Sequence, residues 1–301
     1  VLRTRLGNRT LNPAWFDMAR RFPPPGAFWY GQAFRMGDRA AAYLWLADWR
    51  HKNPARKLTV YEDSMRPGTE ASRYLPGTWL FDGIADDLIT VTKLEEQLPA
   101  PEGQRLYHVT MWRIWLWLMK HRTVDPKIQP TPDATARANE LLDKYKVPRP
   151  FAVVSPLFDA GYDTYRNQSP QWWHTVCFKL GCAVPTVIVG TKESAERMGT
   201  PDGVYPLWHE NLNPMKSLAI INQANVYVGG ATGMTLWAAI FKTPTLACYK
   251  VWAPHPGKKT DTRPISCGAP VVFCALSNAP EQAAFVAQHM FQGALKESTP
   301  L

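Results

Sequence analysis

The stretch NVYVGGATGMTLWAAIFKTPTLACYK, Asn225 to Lys250, decides the fold. Val226, Tyr227 and Val228 read as a short buried strand ending at Gly229, and Gly229-Gly230-Ala231-Thr232-Gly233 as a sharp turn. Thr232 to Phe241 reads as a helix and Thr245 to Tyr249 as the next strand. Strand, turn, helix and strand in this order make one parallel βαβ unit. Glycines let the chain reverse sharply and let a ligand approach the backbone. The unpaired N–H groups of the new helix, with its dipole, suit a phosphate, and the Thr232 and Thr235 hydroxyls add donors. The same residues would also serve as a tight turn that binds nothing, so the neighbouring loops have to decide.

Working outward, Phe151 to Ser155 is a buried-type strand, followed by Pro156 and a loop holding Asp159, Tyr162, Arg166 and Asn167. A helix from Ser169 to Leu180 then opens with Pro170 in its first turn. A cation such as Arg166, beside the glycine-rich turn, can clamp a diphosphate. Thr186 to Gly190 reads as a strand and Thr191 to Met198 as a helix. Glu193, just past that strand, is placed to hold ribose hydroxyls. Three carboxyl-edge loops thus offer Ser155, Arg166, Gly190, Glu193 and the run Thr232, Gly233, Met234, Thr235 as phosphate and ribose partners. Further helices are expected over Asp133 to Lys146 (capped by Thr131 or Asp133), over Asn213 to Ala224, and from Pro280 to about Leu295.

The N-terminal half repeats the alternation. Residues 1–26 read as an irregular arm with Arg3, Arg5, Arg9, Arg20 and Arg21, closed by Pro23-Pro24-Pro25-Gly26. Ala27 to Phe34 is strand-like. Met36-Gly37-Asp38 follows, then a helix from Arg39 to His51 with its apolar positions on one face. Lys57 to Tyr61, Asp87 to Val91 and Arg105 to Val109 read as strands, and Trp112 to Arg122 as a helix whose Trp112, Trp115 and Trp117 suit core packing. The proline-rich residues 123–132 join the two α/β halves.

Composition narrows the function. The chain has 301 residues, 46% of them hydrophobic and 20% charged, which excludes a disordered, collagen-like or coiled-coil protein. Twenty-seven prolines argue against a helical bundle, while thirteen tryptophans fit a heavy core or an aromatic-lined surface equally well. A net charge of +9 favours anionic partners such as phosphates, nucleic acid or an anionic membrane surface, and is equally compatible with a generic basic surface. Five cysteines without a Cys-x-x-Cys argue against a disulfide scaffold and a structural zinc, and for a reducing compartment. No His/Cys/Asp spacing suggests a metal. The longest apolar run, Val109 to Met119, is broken by Arg113 and is too short for a bilayer core of ~30 Å. With no apolar signal segment at the start, a cytoplasmic location is expected.

The C-terminal half resembles the donor domain of GT-B glycosyltransferases, and most of all the ADP-heptose heptosyltransferase family. Val153-Val154-Ser155-Pro156, Arg166 and Ser169-Pro170-Gln171-Trp172-Trp173 match that family's strand, Pro, basic loop and Trp-Pro-x-x-aromatic run. Val189-Gly190 with Glu193 match its next strand end. Val228-Gly229-Gly230-Ala231-Thr232-Gly233-Met234-Thr235-Leu236-Trp237-Ala238-Ala239, then Pro244-Thr245, follow its Val-Gly-x-Asp-Thr-Gly-x-x-His-x-Ala-Ala motif. Ala231 stands where the family has Asp, and Leu236 where it has His, so heptose specificity does not carry over. In the first half, Phe28 to Phe34, Gly37-Asp38 and Arg39 to Trp49 match the family's opening strand, Gly-Asp and helix.

The resemblance implies two Rossmann-like domains facing across a cleft. After the arm 1–26 come an acceptor-side domain at 27–128 and a nucleotide-sugar donor domain at 129–279, and the helix in 280–301 could cross back to the first domain. It implies inverting transfer from a nucleotide-sugar co-substrate, without a cofactor or protein-bound metal. Asp38 would be the general base that takes the acceptor hydroxyl's proton. The helix terminus at Thr232, with Arg166 and Thr235, would stabilise the departing diphosphate. Asp38 could instead be only a helix cap, and the dipole that favours a carboxylate there makes it a weaker base. Glu62 and Asp63, after the second strand, are rival bases. Gly37, His255 and Lys258 are possible acceptor or phosphate contacts, although His255 and Lys258 also suit a solvated loop. The acceptor is a glycan or lipid-linked sugar, or DNA carrying hydroxymethylated pyrimidines, which the basic arm favours. A nucleotide-sugar epimerase and a non-catalytic sugar or nucleic-acid binding protein are the alternatives.

Overall fold

The computed structural model describes residues 26–30, 36–63, 77–91, 105–108, 127–156, 168–210, 212–230, 232–249, 269–275 and 279–298. The chain forms two parallel sheets. The first is built from β1 (Gly26–Tyr30), β2 (Thr59–Asp63), β3 (Asp87–Val91) and β4 (Arg105–His108), in the order β3-β2-β1-β4. The second contains β5 (Ala152–Ser155), β6 (Thr186–Ile188), β7 (Val204–Pro206), β8 (Val226–Gly229), β9 (Thr245–Tyr249) and β10 (Val271–Ala275). Its order, β10-β9-β8-β5-β6-β7, is the doubly wound Rossmann arrangement, and the first sheet is a shorter version of it. The expectation of two Rossmann-like α/β units is met.

Eight helices connect the strands among the described residues. They are α1 (Met36–Lys52), α2 (Gly77–Phe81), α3 (Pro132–Lys144), α4 (Pro170–Gly181), α5 (Lys192–Met198), α6 (Pro214–Asn222), α7 (Gly233–Ile240) and α8 (Pro280–Ser298). The second-half helices from α3 to α7 each start at a side-chain cap. Thr131, Ser169, Thr191, Asn213 and Thr232 each accept the N–H of the residue three positions on. Pro132, Pro170 and Pro214 follow three of these caps, where a missing N–H costs nothing. Of the two residues considered for the α3 cap, Thr131 does the work.

Several elements differ from the sequence expectation. α1 begins at Met36, so Gly37 and Asp38 lie inside its first turn and Asp38 is its third residue, not its cap. Ala40 to Leu46 are all buried, which makes α1 a central helix with no solvent face over that stretch rather than an amphipathic surface helix. β2 ends at Asp63, which puts Glu62 and Asp63 in the strand itself and not beyond it. The sequence reading missed α2, β7 and β10. β7 has only three residues and ends on Pro206, a residue tolerated there because β7 is an edge strand. Residues 1–25 of the arm and the Trp112–Arg122 segment lie outside the described residues.

The second sheet is covered on both faces, as the alternation along its strands requires. Val153 and Tyr227 point into one core, while Ala152, Val154, Val226 and Val228 point into the other. The first of these cores runs without a break into the N-terminal half. It contains Tyr43, Leu44, Leu58, Val60 and Phe81 as well as Trp237, Ile240 and Phe241. α8 packs on α4, β8 and β9, so its main partners are in the second half, although the sequence left open a return to the first. Among the described residues no helix is long and apolar enough to cross a membrane.

Candidate functional site

In a doubly wound sheet the strand order reverses between the first strand and the fourth, and the crevice outside their carboxyl ends is where ligands bind. In the second sheet the reversal lies between β5 and β8, and in the first between β1 and β4. α7 leaves β8 through the glycine-rich turn, and α1 is the first helix after β1. The two helices pack against each other.

The contact between their first turns is backbone on backbone. A Cβ placed on Gly233 would stand 2.4 Å from the Gly37 nitrogen and 2.9 Å from the Met36 carbonyl carbon. One on Gly37 would stand 3.2 Å from the Gly233 Cα. Glycine is therefore required at 233 by the approach of the other half, not by φ. One turn on, the indole Nε1 of Trp237 donates to the Met36 carbonyl oxygen at 3.0 Å. Its ring packs against Trp79 at 5.4 Å between centroids, Phe241 at 5.8 Å and Tyr43 at 6.3 Å. This aromatic group, with Trp237, Tyr43 and Phe241 buried and Trp79 partly so, holds the two helix N-termini side by side. Two positive helix ends brought together repel each other unless negative charge stands near them. The backbone supplies Asp38 at the third position of α1, next to the contact.

Beneath the turn lies a group of hydroxyls. Ser155, at the end of β5, is the register partner of Gly229 and is buried. Thr232 caps α7, its Oγ1 accepting the Thr235 N–H at 3.4 Å. Thr235 is fully buried and donates its hydroxyl proton to the Gly230 carbonyl oxygen. The expectation that Thr235 supplies a donor to a phosphate is therefore corrected: its proton is spent inside the turn, and it holds the turn's shape. Thr232 stays partly exposed at the helix entrance. The Tyr227 hydroxyl completes the group at 3.5 Å from Thr235 Oγ1. Burial pushes the Tyr227 phenol up from its ordinary pKa, opposed in part by hydrogen bonds with Thr235, Ser155 and Thr232, so it stays protonated.

Sequence reasoning missed Tyr227. The available signal was a tyrosine in the middle of an otherwise aliphatic strand, two residues before a glycine on the same face. A Cβ on Gly229 would fall 2.2 Å from the Tyr227 hydroxyl oxygen, so the phenol occupies the space that a residue-229 side chain would need.

The other expected residues sit as follows. Gly190 follows β6, one strand from β5, and a Cβ placed on it would stand 3.7 Å from the Trp208 ring, an ordinary contact distance. Glu193 is the second residue of α5 and is exposed, in a helix capped by Thr191. Met234 is half-buried against the shared core. Arg166, His255 and Lys258 lie outside the described residues, as does Ala231. The structure thus brings together Ser155, Thr232, Gly233, Thr235 and Gly37, with the backbone of Asp38, and leaves Gly190 and Glu193 between the end of β6 and the first turn of α5. Among the described residues no group of three or more His, Cys, Asp and Glu side chains could hold a metal ion.

The architecture has counterparts among solved structures. In fold the chain is similar to solved glycosyltransferase structures. A glycosyl transferase family 9 structure from Veillonella parvula superposes with a TM-score of 0.60 at 12% identity, over 89% of this chain and 97% of that one. The ADP-heptose LPS heptosyltransferase II structure from E. coli gives a TM-score of 0.57 at 12% identity, over 91% of this chain and 100% of that one. No protein-family model matches the sequence. No curated protein matches it either. At 12% identity the likeness is one of fold, so any inference about chemistry has to come from the residues at the crevice.

Proposed function

We propose that the protein is a glycosyltransferase that moves a sugar from a nucleotide-sugar to an acceptor hydroxyl with inversion at the anomeric carbon. The observation that carries this reading is the contact of Gly37 with Gly233. It puts a carboxylate-bearing helix start from one half beside an anion-suited helix start from the other. The pairing serves a reaction that needs both at once. The diphosphate develops negative charge as it leaves, next to the α7 amides and the Thr232 hydroxyl. The incoming hydroxyl must lose a proton, and Asp38 is assigned to take it. The acceptor oxygen attacks the anomeric carbon as the C–O bond to the diphosphate breaks. The proton goes to Asp38 and the electron pair leaves with the phosphate oxygen. The fold shared with family 9 and heptosyltransferase II structures agrees with this, and Gly190 and Glu193 are assigned to the nucleoside side. No metal or cofactor is assigned a role.

The test is isothermal titration with a panel of nucleoside diphosphates and nucleotide-sugars, followed by turnover of Asp38→Asn. We expect diphosphate binding by both proteins and a loss of turnover on the order of a hundredfold or more in the variant. A chain that binds no member of the panel is not this enzyme. Full turnover in Asp38→Asn would move the base elsewhere. The net charge of +9 favours a polyanionic acceptor, DNA with hydroxymethylated pyrimidines, over a lipid-linked glycan. Binding to such a duplex should weaken steeply with salt, and a flat response removes that acceptor.

A further inference from the structure

We propose that Tyr227 is a positioning residue for the anion-binding turn, its hydroxyl orienting the Thr235 and Thr232 hydroxyls so that Thr232 presents its proton to a ligand oxygen. The inference rests on the functional reading above and deepens it.

The argument is one of donors and acceptors. Thr235 Oγ1 gives its only proton to the Gly230 carbonyl oxygen, so toward its other neighbours it acts solely as an acceptor. Two hydroxyls stand 3.5 Å from it, those of Tyr227 and Thr232. The phenol is the better donor of the two and is completely buried, so its proton goes to a neighbouring hydroxyl, and of these Thr235 Oγ1 is the one whose own proton is already given away. Thr232 is partly exposed and already accepts the Thr235 N–H. With Tyr227 donating to Thr235, the Thr232 proton is left to point outward, at the entrance to α7, where a ligand oxyanion would lie. Ser155, from the adjoining strand, is a further hydrogen-bonding partner of the phenol.

The local sequence accepts a cost for this arrangement. Phenylalanine at 227 would fill the same volume without burying a hydroxyl, and burying one is unfavourable unless its bonds are made. Residue 229 also has to be glycine, because the phenol oxygen occupies the place of its Cβ. Two positions are thus committed to one hydroxyl under the turn. Tyr227 does not touch the reacting atoms in this scheme and acts through Thr235 and Thr232.

The experiment measures binding of inorganic pyrophosphate, ADP, UDP and GDP by calorimetry to the wild-type chain, Tyr227→Phe, Thr235→Val and the double variant, with melting temperatures for each. We expect Tyr227→Phe to bind pyrophosphate and the preferred diphosphate about fivefold more weakly. The double variant should bind no more weakly than Thr235→Val alone, because the effect of Tyr227 passes through Thr235. A purely structural hydroxyl would lower the melting temperature and leave affinity alone. Equal affinity in wild type and Tyr227→Phe overturns the inference while the proposed function stands. Losses that multiply in the double variant overturn the relay through Thr235. Failure of the wild-type chain to bind any of the four probes overturns the proposed function and this inference together.

Discussion

The two halves of the molecule start and hold their helices by different means. In the second half, α3 to α7 each begin with a Ser, Thr or Asn cap, and three of them add a proline immediately after it. In the first half, the long helix α1 is secured by what surrounds it. Its residues 40–46 are buried on every side, and its end is tied by Arg50, which donates Nε to the Ile84 carbonyl oxygen at 2.7 Å and pairs with Asp86. Asp86 in turn accepts the Leu58 N–H at 2.6 Å, and this bond, with Arg50 beside it, holds its carboxyl below the usual range. Lys57 and Asp87 form a further ion pair at 2.8 Å at the β2–β3 edge. A helix stabilised by its own cap carries its start in a few neighbouring residues. A helix stabilised by burial takes its start from partners far away in the chain.

The sharpest way to break this contrast is at the seam. Trp237→Ala removes a fully buried indole, its bond to Met36 and three aromatic contacts, two of which reach the first half. It should cost about 4 kcal/mol in chemical denaturation, and because the core is continuous both halves should lose stability together. If α1 kept wild-type stability while α7 loosened, as read by hydrogen exchange, the two halves would not share one core. A smaller effect comes from the caps. Ser169→Ala and Thr232→Ala should each cost about 1 kcal/mol of stability. Only Thr232→Ala should also weaken diphosphate binding, since Ser169 caps α4 on a different loop. Equal binding losses in both variants would remove the special standing of the α7 entrance.

The smallest effect is one of pH. Glu210, at the end of the 3₁₀ turn Leu207–Glu210, accepts hydrogen bonds from Lys144 Nζ at 2.8 Å and from the Tyr145 hydroxyl at 2.6 Å. Those bonds lower its pKa, and the bond to Glu210 pushes the Tyr145 phenol up to about 12. A carboxylate with a lowered folded-state pKa adds stability above its unfolded pKa and loses it as pH falls through the folded value. Glu210→Gln should therefore cost about 0.5 kcal/mol at neutral pH, with the difference from wild type closing in acid once the wild-type carboxyl is protonated. A gap that persists at pH 2 would assign the cost to packing rather than charge.

The same division explains what could be read in the chain. Ser169-Pro170, Asn213-Pro214 and Thr232-Gly233 announce their helices because cap and proline chemistry is local. β7 and β10 went unread for the opposite reason. A three-residue edge strand has no periodicity to detect, and Val271–Ala275 becomes a strand by pairing with β9. The start of α1 was placed three residues late because Phe34-Arg35 carries no Ser, Thr, Asp or Asn to announce it, while Gly233 and Trp237 meet the early turn across the seam.

By itself, the sequence determined the parallel α/β character of both halves, the glycine-rich turn after β8 and the hydroxyls available to it. Those follow from residue-by-residue steric and hydrogen-bonding preferences that act over a few positions. Only the tertiary structure decided that Gly37 meets Gly233, that Trp237 bonds to Met36, and that the Tyr227 phenol takes the space Gly229 leaves open. The first two join residues from opposite halves of the chain, and the third depends on which way a buried ring runs along its strand. Contacts of that kind are chosen by whole-chain packing, where one methyl group too many pushes two helices apart.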